Sequence, residues 1–280
     1  MSRPQPSKPH SDLMHTVLRR QCAYLRDIGQ HHENRPENTK SAVIVEPRRH
    51  ELLEPVIRNV MHFLSQDWNL TVICGSDNEE WIKTRLPEWK VRYVNLGVEN
   101  LTPNLHNRLL QQSAFWETIR EETLLVFQTD SCLLRPIPPE MMDAYDFLGA
   151  WTLNPHEQAP IAPGVMGGFN GGLSLRSRRA MLDITRNVDH GSIDSWRRDR
   201  GLQTLPSVNY FGEIAEDIYF VHGCCMLGKR LPDRDTACTF STEAVYSVDS
   251  VGMHACMEKE FFPLELLREM VRSSELARFL

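Results

Sequence analysis

No apolar run in this chain approaches the ~20 residues that a membrane-spanning helix needs, and the polar start Met1–His10 has no signal-peptide core. Both absences point to a soluble chain without a membrane span, and the expected location is the cytoplasm. Cationic excess is lacking too. The formal net charge is −6, which argues against nucleic acid or an anionic membrane surface as the main partner. The seven cysteines (22, 74, 132, 224, 225, 238 and 256) never fall in C-x-x-C spacing and are odd in number. Neither a disulfide framework nor a zinc ribbon is indicated, and reduced thiols are the simplest reading. Grouping His222, Cys224, Cys225 and Cys238 around zinc is disfavoured, because vicinal cysteines chelate poorly. No G-x-G-x-x-G follows any early strand signal, which sets a Rossmann dehydrogenase aside. Internal repeats and low-complexity segments are also missing.

What is present is ample apolar content, 41% of residues, enough for a substantial core. Residues 1–40 are rich in Pro, His, Arg and Asn, with one helix over Asp12–Asp27 whose apolar positions Leu13, Val17, Cys22 and Leu25 are loosely spaced. This N-terminal arm is expected to pack on the domain or to stay mobile. From Ser41 strand and helix signals alternate: strands at 42–46, 70–74, 91–94 and 123–130, with helices near 52–64, 79–85 and 104–120 between them. Apolar strands separated by helices predict an α/β domain with a mainly parallel central sheet flanked by helices. Ligands of such sheets sit beyond the carboxyl ends of the strands, so Glu46 and Asp130 should share a rim. Beyond Asp130 come a short strand at 146–151, a Pro/Gly-rich loop at 152–169, a strand at 173–175, helices at 178–188 and 217–227, a strand at 244–248 and a closing helix at 264–279.

Thr123-Leu124-Leu125-Val126-Phe127-Gln128-Thr129-Asp130-Ser131 is the most informative stretch, a strand-like run that stops at a carboxylate. A carboxylate there can hold a hard divalent cation whose other positions go to substrate phosphates and water; the bland alternative is an Asp capping a turn or helix. Asn170-Gly171-Gly172 suits a wall against which a substrate lies, because glycine lets backbone approach closely and the Asn amide both donates and accepts. An ordinary turn before the next strand reads the same way. Trp151, at the mouth of the long loop, offers a stacking face for a substrate, whereas Trp116 inside an amphipathic helix belongs to the core.

Phe127-Gln128-Thr129-Asp130-Ser131, Tyr145-Asp146-Phe147-Leu148-Gly149-Ala150, Asn170-Gly171-Gly172-Leu173-Ser174-Leu175-Arg176 and Glu216-Asp217 occur in an order that resembles a domain-of-unknown-function family related to GT-A glycosyltransferases. The resemblance spans about Ser41–Phe262. It implies a GT-A-like single domain over 41–280, with a nucleotide-binding half at 41–131 and an acceptor-binding half at 132–280. By the same resemblance Gln128-Thr129-Asp130 takes the DxD place, with Gln128 standing where the first carboxylate belongs. Asp130 and the late His254 become the metal ligands, for Mn2+ or Mg2+. The acidic motif implies Asp217 as general base, with Glu216 as its alternate and Glu213 a weaker third. Glu46 and Arg48 take the place that meets nucleobase and ribose; a solvated Arg48-Arg49 pair is the bland reading of that cation.

The expectation is therefore a metal-dependent, inverting glycosyltransferase that moves a sugar from a UDP- or GDP-sugar to a glycan or small-molecule acceptor. A catalytically silent nucleotide- or glycan-binding domain is the alternative, which Gln128 favours and the retention of Asp217 and His254 opposes. A sugar nucleotidyltransferase needs a glycine-rich loop after its first strand, where this chain reads Glu46-Pro47-Arg48-Arg49-His50.

Overall fold

Val, Ile, Leu and Phe dominate the runs at Lys40–Val45, Trp68–Cys74 and Thr123–Phe127, and in the computed structural model all three are strands buried along almost their whole length. Such runs form where a sheet is covered on both faces. The structure describes residues 8–155, 157–205, 214–256, 259 and 261–280. In chain order the elements are α1 (Lys8–Asp27), β1 (Lys40–Val45), α2 (Leu53–Phe63), β2 (Trp68–Cys74), α3 (Glu79–Lys83), β3 (Arg92–Asn95), α4 (Pro103–Leu110), α5 (Ser113–Glu117), β4 (Thr123–Phe127), β5 (Ser131–Leu133) and α6 (Pro139–Met142). They continue with β6 (Phe147–Trp151), β7 (Ala159–Ala162), β8 (Val165–Gly167), β9 (Phe169–Ser177), α7 (Arg178–Asn187), α8 (His190–Arg198), α9 (Glu216–Met226), α10 (Arg234–Phe240), β10 (Ser241–Thr242), β11 (Gly252–His254), α11 (Leu264–Arg272) and a 3-10 turn, Glu275–Phe279.

Six strands form the central sheet in the order β3-β2-β1-β4-β9-β6. Only β9 runs against the rest, pairing antiparallel with both β4 and β6. The fold is thus α/β with a mainly parallel central sheet flanked by helices, as the alternation predicts. A second sheet, β10-β11-β5, leaves the first where β4 ends. Parallel pairing of β1 with β4 puts Glu46 and the Gln128-Thr129-Asp130 turn on one rim.

Residues 8–27 join the same core. The buried face of α1 is Met14, Val17, Leu18, Gln21, Cys22 and Leu25, a helical 3-1-3-1-3 spacing that a reading anchored on Leu13 misses. Asn59 locks this packing: its Nδ2 donates to Gln21 Oε1 at 2.9 Å and to Leu133 O at 3.0 Å, while its Oδ1 accepts from Leu133 N–H at 2.8 Å.

Several local expectations are corrected. The helix expected over 104–120 is two helices, because the Trp116 indole donates to Leu110 O at 2.7 Å and so captures the carbonyl that ends α4. No strand forms at 244–248; Thr242 Oγ1 accepts from Ser247 N–H at 3.2 Å and folds that segment back. Inside the expected loop 152–169 sits the β7–β8 hairpin. The closing helix stops at Arg272, where Ser274 caps the following turn through its hydroxyl, which accepts from Leu276 N–H at 3.1 Å.

Candidate functional site

Once β4 clears the core, the chain can turn with polar residues, and Gln128-Thr129-Asp130 makes that turn into β5. Ser131 N–H donates to Gln128 O at 3.1 Å, and Ser131 Oγ accepts from Gln128 N–H at 3.2 Å. The same hydroxyl donates to Gly172 O at 2.7 Å, tying the turn to β9.

Antiparallel pairing of β11 with β5 sets His254 opposite Ser131 and brings the imidazole over the turn. His254 Nε2 lies 3.4 Å from Asp130 Oδ1 and 3.3 Å from Gln128 Oε1. Its Nδ1 faces Glu243 Oε2 at 3.8 Å, and Lys259 Nζ is 3.2 Å from the other oxygen of that carboxylate. Ala255 adopts a φ of 57°, a left-handed conformation that costs a non-glycine residue roughly 1–2 kcal/mol. Its N–H donates to Asp130 O at 3.0 Å, so the strained residue fastens position 254 to position 130.

Burial opposes charge on His254, but Asp130 and Glu243 outweigh it and pull its pKa up to about 10. Burial likewise pushes the carboxyls of Asp130 and Glu243 up, and His254 outweighs it in both, holding them below their ordinary values. Among the described residues, no three or more His, Cys, Asp or Glu side chains gather as a metal site. Mn2+ or Mg2+ needs only one or two protein side chains when substrate phosphates and water complete its shell. The carboxylate of Asp130, the imidazole of His254 and the amide oxygen of Gln128 fit that requirement, and the mixed oxygen and nitrogen set suits Mn2+.

The stretch Asn170-Gly171-Gly172 is not a turn but part of β9. Its glycines serve close approach instead. A methyl group at Gly172 would overlap the His254 ring, and one at Gly171 would crowd Glu216, Arg176 and Asp217. Successive strand residues face opposite sides, so β9 runs between the imidazole and the acidic start of α9. Asn170 Oδ1 accepts from Gly172 N–H at 2.8 Å. Across from them the β6–β9 register shifts between Leu148 and Ala150, the kind of irregularity that re-aims backbone.

Glu216 and Asp217 open α9 and face different surroundings. Both Glu216 oxygens accept from the fully buried Arg176 guanidinium, at 2.7 and 2.9 Å. That guanidinium also donates to Gly171 O at 3.1 Å and lies 4.7 Å over the Phe147 ring. Among the described residues Asp217 has no guanidinium partner. Its Oδ2 accepts from Gly171 N–H at 3.3 Å and its Oδ1 from Ile218 N–H at 2.8 Å. Burial, then repulsion from Glu216 and Glu157, pushes its pKa up to about 7.

Glu46 and Arg48 pair with each other: both Glu46 oxygens accept from the Arg48 side chain at 2.7 Å, and one also accepts from Arg48 N–H at 3.0 Å. Thr129 sits half-buried in the turn between Gln128 and Asp130. Trp116 is core. Trp151 is only 7% exposed and packs edge-on against Phe169 at 5.6 Å, so the open stacking face expected of it is not there. Glu213 lies outside the described residues. His222 is hydrogen-bonded to Arg197 and Ile218 O, each at 2.7 Å, which leaves neither ring nitrogen for zinc. A cavity of about 890 Å3 lies at the opposite end of the sheet, with Glu122, Asp146, Ser177, Arg178 and Arg230 among its lining.

Two residues of the site carry no sequence signal. His106, half-buried on α4, is kept toward its neutral form first by burial, and feels the charges of Glu216, Arg176, Glu46 and Asp130. Glu243 stands behind His254. Neither sits in a motif; tertiary placement alone brings them in.

No curated protein matches this chain. The crystal structure of mouse xyloside xylosyltransferase 1, apo form, is similar over 76% of this chain and 87% of that one, with 12% identity and a TM-score of 0.46. Among the described residues no helix is long and apolar enough to cross a membrane. A family of chains described as "Protein of unknown function (DUF5672)" matches residues 90–254, more than half of the sequence, and the chain belongs to that family.

Proposed function

We propose that this chain is a glycosyltransferase that moves a sugar from a nucleotide-sugar donor, UDP- or GDP-linked, to an acceptor hydroxyl with inversion at the anomeric carbon. One observation carries the reading: the Asp130–His254 pair and the Asp217 carboxylate flank the same two glycines, Gly171 and Gly172, on the ligand rim of an α/β sheet. Inversion requires a base on one side of the reacting carbon and the leaving diphosphate on the other, so the sugar sits over the rim at Gly171 and Gly172, with Asp217 on one side of it and the Asp130–His254 pair on the other.

In this reading the acceptor oxygen forms its bond to the anomeric carbon as the bond to the diphosphate breaks. Asp217 takes the acceptor proton, and the nucleoside diphosphate leaves. A pKa of about 7 matches a base working near neutrality. Glu216, with both oxygens held by Arg176, anchors the start of α9 rather than moving a proton. Asp130 and His254, with Gln128 beside them, would hold a divalent cation, Mn2+ or Mg2+, which when bound supplies Lewis-acid neutralisation of diphosphate charge. Asn170, Gly171 and Gly172 line the sugar, while Glu46, Arg48 and Thr129 border the nucleotide end of the rim.

Donor turnover with UDP- and GDP-sugars and Mn2+ tests this reading: Asp130→Ala should abolish it, and full retained activity would refute the site. A second reading, a domain that binds nucleotide or glycan without turning it over, is favoured by the neutral Gln128 and by the closed Glu46–Arg48 pair. Calorimetric binding of a nucleotide sugar without any turnover would establish it instead.

A further inference from the structure

Glu243 is a buried carboxylate that the proposed chemistry leaves without a task. Parallel pairing sets Thr242 opposite Met253, so the next residues along, Glu243 and His254, lie side by side. Glu243 is 7% exposed, its Oε2 is 3.8 Å from His254 Nδ1, and among the described residues that buried nitrogen has no hydrogen-bond partner. At 3.8 Å the contact is an ion pair, and a shift of about 1 Å closes it to a hydrogen bond. Lys259 holds the other Glu243 oxygen at 3.2 Å. On the far side of the ring, Gly172 leaves only the space the imidazole already fills.

We propose that Glu243 is a positioning residue for the cation site, holding His254 with Nδ1–H toward itself and Nε2 toward Asp130 and the cleft. The inference rests on the reading of Asp130 and His254 as cation ligands. A carboxylate favours a proton on the ring nitrogen it faces; with the Asp130 carboxylate taken up by the cation on the other side, Glu243 keeps the proton on Nδ1 and leaves Nε2 to coordinate, and such carboxylate–imidazole pairs raise ligand basicity. Lys259, a cation, could not do this from the same place.

Mn2+ binding to the full chain, measured by titration calorimetry in the absence of donor, tests the assignment. Glu243→Gln should weaken Mn2+ about 10- to 100-fold. In a His254→Ala background the same substitution should change affinity by less than about twofold, because the effect runs through the ring. Wild-type affinity in Glu243→Gln, or an equal loss with and without His254, would overturn the proposal. Should Glu243→Gln fail to fold by circular dichroism, Glu243→Asp decides: a folded variant with weakened Mn2+ supports the role, and one with wild-type affinity overturns it. Absence of Mn2+ binding in the wild-type chain would instead remove the cation site itself, and this inference with it.

Discussion

Gly172 and His254 compete for one space: the Cβ that any other residue would place at position 172 overlaps Nε2, Cδ2 and Cε1 of the His254 ring. The glycine is therefore a condition for the histidine to reach Asp130, and the two should fail together.

Gly172→Ala is expected to push the ring off Asp130. Overpacking of this kind costs about 1–3 kcal/mol, and the variant should lose Mn2+ binding while remaining folded. Calorimetry paired with urea unfolding checks both halves; unchanged Mn2+ affinity would show that the ring has room elsewhere.

Asp217 should make the fold less stable as pH rises. Its folded pKa, about 7, is above the ordinary 3.8, so between those values the folded state keeps a proton that the unfolded state has lost. Stability contributed below pH 3.8 is lost as pH rises through 7. Asp217→Asn is accordingly expected to stabilise the chain at pH 8 by roughly 2 kcal/mol, with little effect at pH 4. Chemical denaturation at the two pH values checks this.

Arg176→Ala strips the partner from buried Glu216. Removing one member of a buried ion pair costs about 3–5 kcal/mol, and the loss should be smaller in the double variant Arg176→Met, Glu216→Gln, where no charge is stranded. A double-mutant cycle in urea measures the difference.

Ala255→Gly should relieve the left-handed strain beside His254. Against the gain stands the extra entropy of glycine in the unfolded chain, so stability is expected to change by between nothing and about 1 kcal/mol in the favourable direction. Ala255→Val, branched at Cβ, should fall the other way. Thermal melts of the two variants give the signs.

Sequence alone made the central strands legible because a sheet covered on both faces favours runs rich in apolar residues, as at 42–45, 72–74 and 124–127. The carboxylate that ends the last of them was legible for the same reason: polarity begins where burial stops. Gly171 and Gly172 left two readings open, since a close approach and a turn use the same letters, and only the packing of His254 and Asp217 against them separates the two. β10 and β11, of two and three residues, are too short to carry periodicity. The break between α4 and α5 depends on an indole reaching back to Leu110, and Arg176, His106 and Glu243 acquire their places only when distant segments meet. Trp151 was misjudged because its aromatic neighbour, Phe169, belongs to a strand on the far side of a long loop.

The most direct measurement is turnover of UDP- and GDP-sugars with Mn2+, followed by mass spectrometry, in wild type and Asp217→Asn. Sugar transfer or donor hydrolysis by the wild type, lost in the variant by about 10²- to 10⁴-fold with donor binding intact, is the predicted result. Equal turnover in the two proteins would contradict the assignment of the base and the reaction built on it.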